Sequence, residues 1–195
     1  MRLAIFDYGA GNLHSLSKAL QAPGIVVSTE TDPRRLLSAD VMVLPGVGAF
    51  GAAADRLAPA RAEIVAALSG GMPCLGICLG MQLFFDASDE SPGSSGLGII
   101  SGRVTRLRAS RVPHIGWNRV AWNTVTGSSD PDVAYFAHSY ACRPVDDAAV
   151  IAWTVEGDDR FPSAVRWRNV VGVQFHPEKS SAPGVRFLQD LIGFV

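Results

Sequence analysis

Four short apolar runs, "LAIF", "GIVVST", "DVMVLP" and "MPCLGI", recur through the first half of the chain, and the stretches between them, "NLHSLSKAL", "PRRLLSA" and "ARAEIVAAL", have helical character. This alternation constrains the fold more than any other feature. Short runs that are apolar throughout are strands covered on both faces, and helix-forming segments between them are the crossovers a parallel sheet needs. After the loop "DASDESPGSSGLG" the texture changes to the strand-like "GRVTRL", "GWNRVAWN", "AYFAHSYA", "VIAWTVEG", "SAVRWRN" and "VVGVQFH", followed by a closing helix, "GVRFLQDLIGFV". The expected fold is α/β, with a mixed, mostly parallel central sheet flanked by helices. No linker, repeat or acidic tail separates the two textures, so residues 1–195 are expected to form one domain.

Charge narrows the function classes. Charged residues are 18% of the chain and the formal net charge is −1, with no long run of Lys or Arg. Nothing therefore draws the chain to phosphate backbones or anionic lipid, and neither nucleic acid nor membrane is expected as a partner. "MRLAIFDYG" is too short an apolar start for a signal peptide, and the expected location is cytoplasmic. Cys74, Cys78 and Cys142 make an odd number without CxxC spacing, which argues against a disulfide framework and a zinc site and leaves a thiol free for other work. No metal or cofactor is expected.

That free thiol is best sought in "GICLGMQ", where Cys78 stands two residues after Gly76 and two before Gly80. Strand "MPCLGI" precedes it and a helix, "LGMQLFFDA", is expected from near Leu79. A strand–turn–helix junction framed by glycines is where hydrolases mount a nucleophile, and the start of a helix favours a thiolate and offers an N–H to an oxyanion. The plainer reading is a small buried hydrophobe, which Cys74 and Cys142 keep. The base is sought among four histidines. His176 ends "VVGVQF", is followed by Pro177, and has Glu178 two residues on to hold its second ring nitrogen, as a Cys-His-acid triad requires. "HPE" alone is weak, since such a tripeptide often only ends a strand. His14, on the first helix, His114, in a strand or loop, and His138, beside Ser139, read as structural. In "LPGVGAF", Gly46 and Gly48 would turn backbone amides toward a ligand, or merely join a strand to a helix.

"PGVGAF", "GICLGMQ" and "QFHPEKS", in this order, resemble the class I (triad) glutamine amidotransferases, a flavodoxin-like α/β family. "DYGAGNLHSL", "PHIGWN" and "YFAHSY" further resemble the glutaminase subunits of imidazole glycerol phosphate synthase. The likeness runs from Asp7 to Ser180, with Ile115 where Met is expected and Ala141 where an aromatic is usual. It implies a glutaminase in which Cys78 attacks the glutamine side-chain amide, His176 protonates departing ammonia and Glu178 orients His176. It further implies an oxyanion segment at Gly46, Val47 and Leu79, with Gln82, Ser139 and Tyr140 holding the glutamine backbone groups. Ammonia would pass to a (β/α)8-barrel cyclase partner in a heterodimer of histidine biosynthesis, with Asn12, Trp117 and Lys179 at the interface. The plainer readings are a solvated Gln82, a cross-strand Tyr140, a helix-capping Asn12, a half-buried Trp117 and a solvated Lys179.

Three alternatives stand beside this. "DYGAGNLH" with Glu30 imitates a dinucleotide fingerprint, but His14 occupies the place of its third glycine. A silent scaffold would not need Cys78, His176 and Glu178. A glutaminase serving anthranilate, guanylate or pyridoxal phosphate synthesis would share the triad and differ in the interface stretches.

Overall fold

The apolar runs of the first half become strands: those at Arg2–Phe6, Val41–Leu44 and Cys74–Ile77 alternate their side chains between two cores, whereas "GIVVST", expected to be covered on both faces, becomes a mostly exposed edge strand. The computed structural model describes residues 1–11, 13–123 and 129–194. In chain order the strands are β1 (Arg2–Phe6), β2 (Val26–Glu30), β3 (Val41–Leu44), β4 (Cys74–Ile77), β5 (Ala87–Ser88), β6 (Gly102–Arg106), β7 (His114–Arg119), β8 (Ala121–Trp122), β9 (Val133–His138), β10 (Tyr140–Pro144), β11 (Val150–Glu156), β12 (Asp159–Trp167) and β13 (Val170–Val173). The helices are α1 (His14–Ala19), α2 (Phe50–Leu57), α3 (Arg61–Ser69), α4 (Leu79–Gln82) and α5 (Ser181–Phe194).

Eight of these strands form the main sheet in the order β2-β1-β3-β4-β13-β12-β11-β8. The pairings from β2 to β13 are parallel and those from β13 to β8 antiparallel, which is the mixed, mostly parallel sheet expected. Period-two alternation sends Leu3, Ile5, Val43 and Ile77 to one face, under α1 and α5, where they meet Leu16, Phe187 and Leu191. Ala4, Phe6, Met42 and Leu44 point to the other face, where they meet Phe50 and Leu57 of α2 and Ile64 of α3. No helix among the described residues is long and apolar enough to cross a membrane.

The decisive pairing is the late one. β13 inserts beside β4 in parallel register, Gly172 opposite Gly76 and Val173 opposite Ile77. Residues at the carboxyl ends of these two strands, distant in sequence, therefore emerge side by side at the edge where open α/β sheets bind ligands.

Five further local expectations are corrected. "PRRLLSA" forms a 3₁₀ helix over Pro33–Ser38, opened by Asp32 accepting from the Arg34 N–H at 3.0 Å. "LGMQLFFDA" is helical for a single turn, Leu79–Gln82, because the carbonyls of Leu83 and Phe84, which would continue it, accept instead from the N–H groups of Leu97 and Ile99. "GWNRVAWN" and "AYFAHSYA" each divide into two strands in different sheets: β7 pairs with β9, β8 with β11, and β10 with β6, the second break falling at Ser139. "VVGVQFH" leaves the sheet after Val173, so that the Gln174 N–H reaches the Ser163 carbonyl and the His176 N–H reaches Tyr135 of β9.

Candidate active site

Cys78 sits at the tip of β4, its N–H bonded to the Val173 carbonyl at 2.7 Å. Its backbone has φ 48° and ψ −101°, a region that a residue with a side chain rarely adopts and that costs about 1–3 kcal/mol. The surroundings impose it. A Cβ on Gly80 would lie 1.9 Å from the Leu44 carbonyl oxygen, so the turn after Cys78 can close against β3 only with glycine at that position. Gly46 is wedged as tightly: a Cβ there would stand 2.9 Å from Cys78 Cβ and from His176 Cε1. The "PGVG" turn, the thiol and the imidazole are thus in mutual contact.

His176 Nδ1 lies 2.9 Å from Glu178 Oε1, and Cys78, which abuts Gly46 as the His176 ring does, is its other electrostatic partner. The loop that carries it is fixed by Ser180, which is buried. Its hydroxyl donates to the His176 carbonyl at 2.7 Å and accepts from the Tyr135 N–H at 2.9 Å. Burial by itself lowers the basicity of His176, but the adjacent Cys78, by charge and hydrogen bond, and Glu178 overcome it and push the pKa up to about 10. At neutral pH the imidazole holds the proton. Because α4 is one turn long, its dipole contributes little, and the charge partner of the thiol is His176.

A further contact to the sulfur comes from Gln174, wholly buried, whose Nε2–H donates to Cys78 Sγ at 3.4 Å. Gln82, on α4, donates from Nε2 to Gln174 Oε1 at 3.2 Å and to the Tyr140 carbonyl at 3.0 Å. Both amide protons are committed, leaving the Gln82 oxygen for a ligand. At 5% exposure Gln82 is no solvated helix residue.

Over the thiol opens a pocket of about 360 Å³, lined among others by Gly46, Leu79, Gln82, Glu90, Ser139 and Tyr140. Leu79 is the first residue of α4, so its N–H has no acceptor within the helix. Val47 is half-buried with its side chain against Gly11 and does not line the pocket wall. Glu90, in the Gly/Ser loop, also accepts from the Phe50 N–H at 2.8 Å and so braces the start of α2. Ile115, 63% exposed, forms part of the rim, and Trp117, 53% exposed, stands edge-on to Tyr135 on the same ribbon. Lys179 is exposed beside Glu178, and Asn12 lies outside the described residues.

Gln174, Ser180 and Glu90 escape a reading of the sequence. Gln174 and Ser180 carry a faint signal, as polar residues inside or just after an apolar run. Glu90 carries none, since an acid in a Gly/Ser loop reads as solvated. Among the described residues no cluster of three or more His, Cys, Asp or Glu could hold a metal.

Residues 4–192 match the family described as glutamine amidotransferase class-I, and the chain belongs to that family. It is 46% identical to the imidazole glycerol phosphate synthase subunit HisH of Pyrococcus furiosus, over 97% of each chain. It is 41% identical to the subunit of the same name from Bacillus subtilis, over 95% of this chain and 93% of that one. Its fold superposes on a chain in the structure of PurLQS from Thermotoga maritima with a TM-score of 0.77 at 19% identity, covering 99% of this chain and 98% of that one.

Proposed function

We propose that this chain is the glutaminase subunit of an imidazole glycerol phosphate synthase, hydrolysing glutamine to glutamate and ammonia for a cyclase partner. The observation that carries the chemistry is the contact of Cys78, on its strained turn, with a His176 that Glu178 holds at 2.9 Å. The particular synthase is carried by the relatives, whose name favours it over a glutaminase for anthranilate, guanylate or pyridoxal phosphate.

In this reading glutamine enters the pocket with its α-ammonium toward the Gln82 oxygen and Glu90 and its carboxylate toward Ser139 and Tyr140. The Cys78 sulfur attacks the side-chain carbonyl carbon, and the oxygen takes up the electron pair facing the amides of Leu79 and Val47, in the turn that Gly46 begins. His176 gives its proton to the departing nitrogen, the C–N bond breaks, and ammonia leaves a glutamyl thioester. Water then attacks the thioester carbon while His176 takes its proton, and glutamate departs as the thiolate re-forms. Glu178 keeps the imidazole oriented through both halves.

Ammonium in water is a poor nucleophile, so the ammonia is useful only if delivered directly. The exposed apolar side chains Ile115, Trp117 and Val133 on the β7–β9 ribbon, with Lys179 nearby, support docking of the partner at the pocket mouth. Trp117, Lys179 and Asn12 are assigned to that interface, and the partner is taken to be a (β/α)8 barrel. The test is glutamate release by the chain alone, with the cyclase, and with the cyclase and its nucleotide ligand. Release stimulated by the partner and abolished by Cys78→Ala supports the assignment. Lack of any stimulation removes the synthase identity.

A further inference from the structure

The polar contacts beneath Cys78 run along the pocket wall, which His138 helps to line, and past it to His114. His138 and His114 are 6% and 5% exposed and sit among aromatic rings, His114 stacked on Phe136 at 4.9 Å and His138 edge-on to Phe161 at 5.1 Å. With little solvent present, the neighbouring acceptors decide where the hydrogens lie. His138 Nδ1 is 2.9 Å from the Tyr140 carbonyl, which can only accept, so Nδ1 carries a hydrogen and donates it. Burial is the largest influence on His138 and pushes its pKa down to about 3, so the ring is neutral and Nε2 is an acceptor. His114 Nδ1, 3.2 Å away, must then be the donor to it. The far nitrogen of His114 meets the Asn118 amide and Glu156 Oε2, each at 3.3 Å, near the surface.

Tyr140 O is the pivot. It receives His138 on one side and Gln82 Nε2 on the other. Its inability to donate fixes which way the Gln82 amide faces, and Gln82 in turn fixes Gln174 with its oxygen toward Gln82 and its Nε2–H toward Cys78 Sγ. Without His138 the Tyr140 carbonyl, just past the break at Ser139, loses one of two ties. A turned carbonyl frees the Gln82 amide to flip, and a flipped Gln174 presents an oxygen lone pair to the sulfur.

We propose that His138, backed by His114, is a positioning residue that fixes the Tyr140 carbonyl and, through Gln82 and Gln174, keeps an amide N–H aimed at the Cys78 sulfur. The two histidines thereby acquire a task in the chemistry, although neither touches the reacting atoms.

The test compares His138→Asn, which retains a donor near the place of Nδ1, with His138→Leu, which does not. The first readout is the rate at which iodoacetamide alkylates Cys78 in the full chain, followed by mass spectrometry. The second is glutamate release with the cyclase partner, which rests on the function proposed above. Loss of a buried hydrogen bond at the pivot is expected to slow both rates about tenfold in His138→Leu, with His138→Asn within about twofold of the parent. Thermal stability is expected to run the other way, since Asn leaves a void among apolar rings and Leu fills it. A merely structural histidine would give activity that follows stability.

Equal alkylation in the Leu variant and the parent, or Asn falling below Leu, would overturn the proposal. Should His138→Leu not fold, the same pair of substitutions at His114, the next donor along, makes the same comparison. If the parent releases no glutamate with the partner, the functional reading fails, and alkylation still decides for or against the positioning role.

Discussion

Strand β4 begins with one cysteine and is followed at once by another, and the two could hardly be more different chemically. Cys74 is 1% exposed in the apolar core, and burial alone pushes its thiol far above the ordinary range. Cys78 is 6% exposed, almost as deep, yet it faces His176 and the Gln174 N–H. The histidines repeat the contrast. His138 and His176 are similarly buried, at 6% and 3%, but one is pushed down to about 3 and the other up to about 10. Depth does not decide whether a buried group is charged; the partner beside it does.

The sharpest way to break this contrast is to exchange the roles of the two thiols. Cys78→Ala is expected to lower glutamate release by about 10⁴-fold or more, as removal of a nucleophile does. Cys74→Ala should cost only about 1 kcal/mol or somewhat more of stability, read from the denaturation midpoint, and leave turnover intact. If Cys74 mattered equally to turnover, the contrast would be wrong. Next in size is Glu178→Gln, which keeps the shape but removes the carboxylate that, after Cys78, helps to raise the His176 pKa. The expected fall in kcat is about 10²–10³-fold, and the His176 titration, followed by NMR, should move down while Cys78 still holds it above the ordinary range.

The third prediction concerns stability and pH. An unfolded histidine takes up a proton near pH 6.5, whereas folded His138 does not until about 3, so in that window the unfolded state binds more protons and stability drops as pH drops. Lowering the pH from 6.5 to 5 should cost about 2 kcal/mol through this group. The difference between the parent and His138→Leu across that range isolates it from the carboxylates, and identical pH slopes would refute it. The smallest effect is expected at the rim. Trp117→Ala should weaken binding of the cyclase partner by about tenfold, measured by calorimetry, while Cys78 alkylation in the isolated chain stays unchanged.

Much of this was legible in the residues. Period-two and helical patterns located the strands of the parallel half, and the glycines around Cys78 and the acid after His176 stood out by spacing alone. What could not be read were the consequences of long-range pairing. The helix after Leu79 stops because distant N–H groups of Leu97 and Ile99 take its carbonyls. "AYFAHSYA" breaks at Ser139 because its two halves find different partner strands. Gln174 looks like one polar residue in an apolar run until β13 lies beside β4. His114 and His138 read as filler because their value lies in which atom faces which, and spacing carries no record of that.

The late insertion of β13 also governs when the chain can first become reactive. During synthesis Cys78 leaves the ribosome long before His176, Glu178 and the strand that completes the sheet. Until then β4 has β3 on one side and an open edge on the other. The nascent protein therefore carries a thiol with neither His176 nor its Gln174 donor beside it, and on the function proposed above every release of ammonia must await translation of β13 and the residues that follow it. A prematurely terminated copy is harmless to the cell's glutamine, because the element that closes the fold is the one that arms it.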